Sequence, residues 1–166
     1  MSIAEAVERA TAYLADHPDE AAYRDSAAHA HLTSGLLVSV TGPGGESLQT
    51  DMPTGIGGTA TMPSPGWFLR AATASCVASL IAIRAAVLEV EIRSVDVVAD
   101  SESDDRGILG IDPAIAAGPL SARVSVTVDA PGADREAIGE LVSWAVEHCP
   151  VTDGIRRAIP LEVDVR

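Results

Sequence analysis

Residues 64–88 read SPGWFLRAATASCVASLIAIRAAVL, and how this stretch folds decides the rest of the chain. Ser64 is placed to cap a helix and Pro65 to open it, because the proline ring fixes φ near the helical value and a first helical turn has no use for the missing N–H. From there to Leu88 the stretch is apolar on almost every face and broken only by Arg70 and Arg84. At about 100° per residue these two arginines lie within about 40° of each other and mark the one polar edge. Cys76 falls about 100° from that edge, among the small or weakly polar Ala72, Thr73, Ser79 and Leu80, so neither arginine reaches it easily within one helix. A helix apolar all round must be buried.

The flanks supply something to bury it against. Upstream, Pro53 to Pro65 mixes Gly55, Gly57 and Gly58 with prolines and threonines, which is too breakable for a regular element and too apolar for a solvated linker. It reads as a loop folded over something. Before it, His29–Leu32, Leu36–Val40 and Ser47–Thr50 are short β-prone runs separated by Ser34-Gly35 and Gly42-Pro43-Gly44-Gly45, hence an antiparallel meander. Residues 1–25 form a leader, in which Ile3, Val7, Ala10 and Leu14 share one helical face behind Ser2 as N-cap, ahead of a main domain over 26–166.

Downstream, Ile92–Ala99 and Leu120–Val128 read as strands joined by a long acidic hairpin connection. Asp134 caps a second helix whose apolar positions Ile138, Leu141, Val142 and Ala145 continue in phase to Cys149. Pro150 interrupts that helix, Val151–Ala158 restarts it, and the alternation Leu161, Val163, Val165 predicts a closing edge strand. The order predicts an α+β fold, an antiparallel sheet packed on two helices. One chain offers its all-round apolar helix a single sheet to hide against, so a second subunit is the simplest cover.

Composition narrows the function. The 24 acidic residues stand against 11 arginines and no lysine, a formal charge of −13 that repels nucleic acid and anionic membrane surfaces. Aromatics make up 3% of the chain, too few for a base-stacking platform. No segment has the roughly 18 uninterrupted apolar residues of a membrane span, and Met1–Arg9 lacks the basic and apolar regions of a signal peptide. The expectation is a cytoplasmic protein. In a reducing compartment two cysteines serve metals or redox chemistry more readily than a structural bridge, which directs attention to Cys76 and Cys149.

Ser64-Pro65 followed by Ala71-Ala72-Thr73-Ala74-Ser75-Cys76, together with Cys149-Pro150-Val151-Thr152 at the matching separation, resembles the two cysteine motifs of the OsmC/Ohr family, the osmotically inducible and organic hydroperoxide resistance proteins. The resemblance covers roughly His29 to Arg166. It implies an intertwined homodimer around two central helices and a peroxiredoxin-like reductase of organic hydroperoxides that needs no cofactor. In that reading Cys76 is peroxidatic, Cys149 resolving, and a dithiol the reductant. Similar proteins use an arginine from the first hairpin and a glutamate just after the helix-start proline. This chain departs at both places: Gly66 stands at the glutamate position and His29–Gly35 contains no arginine.

A buried thiol without a nearby cation has its pKa raised, so the departure calls for a substitute. Arg24 precedes the hairpin, Arg70 and Arg84 can act across a dimer, and His29, His31 or His148 can pair when protonated; the sequence does not choose among them. Trp67 and Phe68 are candidates to line a substrate pocket, although an aromatic pair at a helix start more often simply packs. The alternative function is a non-catalytic or redox-sensing dimer that binds a small apolar ligand in the inter-subunit cleft. His29 and His31 share one strand face but lack the companions of a metal site. Gly42–Gly45 reads as a turn, with no P-loop lysine after it, and the acidic Asp100–Asp105 as a solvated hairpin tip without EF-hand order.

Overall fold

The computed structural model describes Met1–Val165. By internal contacts the chain divides into two compact units, Glu8–Leu69 on the one hand and Met1–Val7 with Arg70–Arg166 on the other. Helix α1, Ile3–Asp16, starts where the leader reading puts it. Ser2 and Glu5 close a reciprocal capping box: the Glu5 amide donates to Ser2 Oγ at 3.2 Å and the Ser2 amide to the Glu5 carboxylate at 2.6 Å.

Within Glu8–Leu69 the meander forms as read: β1 (His29–Ser34), β2 (Leu37–Thr41) and β3 (Ser47–Thr50) pair antiparallel in that order. Gly35, at φ +57°, allows the tight turn between β1 and β2 that a side chain would strain. The loop after β3 folds over the buried carboxylate of Asp51, which is 2% exposed. Its Oδ1 accepts from the Met52 amide at 2.7 Å. Its Oδ2 accepts from the Thr59 amide and hydroxyl at 3.1 and 2.5 Å and from the Thr61 amide and hydroxyl, both at 3.2 Å. Gly58 is required here, because a Cβ would lie 1.8 Å from the Met52 carbonyl oxygen.

Those donors, the Thr59 hydroxyl first, hold the Asp51 carboxyl well below the usual carboxylate range against the opposing effect of burial. With the folded pKa depressed, the contribution to stability is full above the unfolded value of about 3.9 and is lost as pH falls toward the folded one. Asp51→Asn keeps one carbonyl oxygen for five donors and is expected to lower the urea midpoint at pH 7. Below pH 4 the wild type should lose stability that the variant no longer has, so urea titrations of both proteins between pH 2 and 7 should converge.

In the other unit, α2 runs Pro65–Val87, its first turn belonging to Glu8–Leu69. Ser64 caps it, accepting from the Trp67 amide at 3.2 Å. Strands β4 (Ser94–Glu102) and β5 (Ser121–Asp129) pair antiparallel, with Val95 opposite Val128, Val97 opposite Val126 and Ala99 opposite Val124. These positions share the half-buried face while Val98 points out at 56% exposure, the alternation of a sheet covered on one side. Asp100 to Glu102, read as part of a hairpin tip, extend β4, and Asp104 caps a one-turn helix, α3 (Asp105–Ile108). Helix α4 (Arg135–Glu147) is capped by Asp134, which accepts from the Ala137 amide at 2.9 Å. Helix α5 spans Pro150–Arg156.

The core of this unit is Val77, Ile81, Ala145 and Cys149, each with no exposed surface, surrounded by half-buried valines of β4 and β5. The mixed α+β architecture is that expected from the sequence. Two readings are corrected. The closing strand does not form: residues 158–165 have no regular structure and Leu161, Val163 and Val165 are 87, 77 and 93% exposed. A strand exists only by pairing, and no sheet edge in the described residues pairs with this one; Arg166 lies outside those residues. Helix α2 is also not buried all round within one chain. It buries a single stripe, Thr73, Val77, Ile81 and Ala85, at every fourth residue.

Candidate thiol site

The second cysteine stands differently from the sequence reading. Helix α4 ends at Glu147, and Cys149 opens α5 as its N-cap, with φ −78° and ψ 116°, ahead of Pro150 at the first helical position. The proline explains the break, since it has no N–H to continue α4 and its ring favours a helix start. Thr152 ties the corner together: its hydroxyl donates to the Val146 carbonyl at 2.6 Å and to the Cys149 carbonyl at 3.0 Å. Cys149 is thereby held in the core with 0% exposure.

Cys76, half-buried on α2, packs against the same cluster, and the two thiols are free and adjacent. The backbone N–H groups of Thr152 and Val151 lie toward the Cys149 sulfur without making a capping hydrogen bond to it. Burial pushes the Cys76 thiol up and the neighbouring Cys149 pushes it further, against the Val151 N–H. Burial also acts to raise Cys149, but the Thr152 amide, the neighbouring Cys76, the Thr152 hydroxyl and the Val151 amide together hold it below the ordinary thiol value.

Arg70 and Arg84 turn to other partners. Arg70 Nη1 donates to Ser101 Oγ at 3.3 Å, and the Arg84 guanidinium lies 5.0 Å from the centre of the Trp144 ring. His148 stacks on Trp144 at 4.2 Å and its Nδ1–H donates to the Trp144 carbonyl at 2.8 Å. Trp67 and Phe68 pack edge to face at 5.2 Å in the Glu8–Leu69 unit, Trp67 being 48% exposed. Arg24, His29 and His31 belong to that unit too and are exposed. Among the described residues no three His, Cys, Asp or Glu side chains gather as a metal site.

Sequence reasoning named Thr73 and Thr152 beside the cysteines but gave them no role. Both are buried and line a cavity of about 380 Å³ with Val124, Val146, Ile155 and Arg156, each a turn or less along its helix from one of the cysteines. A signal for Thr152 was present: a proline directly after Cys149 makes that cysteine an N-cap and leaves the next two amides without helical partners.

A family description, OsmC-like protein, matches residues 58–164 of the chain. Among solved structures, an organic hydroperoxide resistance protein OsmC and predicted redox protein from Legionella pneumophila is similar at 24% identity and TM-score 0.61, over 81% of this chain and 91% of that one. An OsmC-like protein from Mycoplasma pneumoniae is similar at 13% identity and TM-score 0.69, over 81% and 89%. The organic hydroperoxide resistance protein OhrB of Bacillus subtilis is similar at 22% identity and TM-score 0.54, over 81% and 93%. A comparison with curated proteins finds no match.

Proposed function

Because the chain belongs to the OsmC-like family, we propose that it is a thiol peroxidase reducing organic hydroperoxides, with Cys76 meeting the peroxide and Cys149 resolving the product. The observation that carries this reading is the pair of free thiols packed in one cluster, brought together from α2 and the start of α5. Cys76 as thiolate attacks one peroxide oxygen; the O–O bond breaks, the alcohol leaves, and the sulfur is oxidised to a sulfenic acid. Cys149 then displaces hydroxide from that sulfur and forms a disulfide, which an external dithiol reduces by exchange. Two relatives named for organic hydroperoxide resistance support this substrate class.

A cytoplasmic homodimer is part of the proposal. Leu69, Val87 and Leu88 along and just past α2 are 37 to 48% exposed in the single chain, and the alternating tail Leu161, Val163, Val165 lacks a partner edge; a second copy would cover such apolar surface. The second reading, a redox-sensing or ligand-binding dimer, is favoured by one observation: Gly66 stands where relatives carry glutamate, and Arg70 is spent on Ser101. Turnover separates the two. With dithiothreitol as reductant, the peroxidase reading predicts catalytic consumption of cumene hydroperoxide and a light-scattering mass of twice 17.1 kDa. Consumption no faster than that by an equal concentration of free cysteine would reject the peroxidase.

A further inference from the structure

Resting on the peroxidase reading, we infer that the cavity beside the thiols is where the hydroperoxide lies and that Arg156 at its rim selects hydroperoxides carrying a carboxylate. The cavity, of about 380 Å³, adjoins the pair through shared walls. Val124 of β5 and Val146 of α4 line it, and both also pack, as Cys76 does, against the cluster that contains Cys149. Its volume is that of a pocket for a small organic molecule. Thr73 stands three residues before Cys76 on α2, a spacing that makes neighbours on one helix face. The Thr152 hydroxyl donates to the Cys149 carbonyl at 3.0 Å.

The cavity has a closed end and an open one. Thr73 and Thr152 are 5 and 6% exposed, whereas Ile155 is 44% exposed and Arg156 is exposed beside it. Between the two ends the walls are the alkyl groups of Ala122, Val124, Val146 and Ile155. A peroxide group among the threonines lies at the end nearer the cysteines, with its hydrocarbon against the walls, and the far end of the molecule meets a guanidinium. That group offers paired N–H donors in the plane of a carboxylate's two oxygens. Arg156 is free to use them. The chain carries 24 acidic residues against 11 arginines, yet among the described residues no acid pairs with Arg156. Asp153, three residues before it, is held by Arg157 Nε at 2.6 Å. The groups that shift the two thiols do not include Arg156, so its charge acts on what enters the cavity. A chain of net charge −13 repels an anion at a distance, and an unpaired cation on the rim is what lets a carboxylate settle there.

The test compares para-carboxycumene hydroperoxide with its methyl ester, substrates of similar shape that differ in charge, using the full-length chain with dithiothreitol as reductant. Wild type is expected to favour the carboxylate about five- to tenfold in kcat/KM, the effect residing in KM, as for a charge-assisted hydrogen bond weakened by its exposed setting. Arg156→Ala should bring that ratio to unity, Arg156→Glu should invert it, and Arg156→Lys should restore part of it. Arg157→Ala removes an arginine that Asp153 holds and that does not line the cavity, and should keep the wild-type ratio. A ratio unmoved in Arg156→Ala, or moved as far in Arg157→Ala, would overturn the inference and leave the peroxidase intact, and so would a wild type indifferent to the carboxylate. A wild type that consumes neither substrate faster than an equal concentration of free cysteine would reject the peroxidase reading and this inference with it. Should a variant fail to fold, wild type alone decides: its preference should fall toward unity in about 1 M NaCl, which screens an exposed ion pair, and a preference that salt leaves unchanged would overturn the inference.

Discussion

Cys76→Ser is expected to abolish consumption of cumene hydroperoxide, cutting the rate about a thousandfold or more, the scale on which losing a nucleophile shows. The size follows from the chemistry: a serine hydroxyl does not ionise near neutral pH and its oxygen cannot be carried to a sulfenic acid. The fold should tolerate the change, since Cys76 is half-buried at the margin of the core and lies outside the fully enclosed cluster of Val77, Ile81, Ala145 and Cys149. A peroxide-consumption assay with a parallel urea titration checks both halves. Retained activity would move the chemistry away from Cys76, and a ligand-binding dimer would show unchanged ligand affinity with no peroxide consumption in either protein.

The largest effect on stability is expected at Ile81. Its side chain has no exposed surface and sits on the one buried stripe of α2, at the centre of the cluster that also encloses Cys149. Ile81→Ala removes three carbons and leaves a cavity that closes only partly, a loss of about 2–5 kcal/mol for such truncations in well-packed cores. For a domain stable by about 5–15 kcal/mol that is a large share. Equilibrium urea unfolding at pH 7 measures it. A change below about 1 kcal/mol would mean that the stripe is not the centre of packing. A cavity beside Cys149 should also slow disulfide formation, because the sulfur is then held less firmly in the cluster it shares with Cys76.

Much of the fold was legible because its signals are local. Ser64-Pro65 announced α2, Asp134 announced α4, and the Val124, Val126, Val128 alternation announced β5, each by a cap or a period that the structure retains. The tail was misread for a physical reason: alternation at Leu161, Val163 and Val165 states which face of a strand would be apolar, not whether an edge is there to pair with. The same limit applies to α2, whose composition demands burial without saying how much of it one chain supplies.

At the site, the sequence identified the two cysteines and the lack of an arginine near the first of them. It could not show that Arg70 and Arg84 turn to Ser101 and Trp144, since those contacts join residues far apart in the chain. Nor could it show that the N–H groups at the start of α5 hold the Cys149 thiol below its ordinary value while burial pushes Cys76 up, since both depend on how the two helices pack. Asp51 was passed over as one more acidic residue of a loop; only the structure shows five donors around it.

The central claim is that Cys76 and Cys149 of one chain form a working redox pair. The most direct measurement is peptide mass spectrometry of the reduced protein after one equivalent of cumene hydroperoxide, run under denaturing, thiol-blocking conditions. The account predicts a Cys76–Cys149 disulfide within the chain and the loss of two free thiols. Two thiols still free after that treatment, or Cys76 oxidised while Cys149 remains a blocked free thiol, would contradict it.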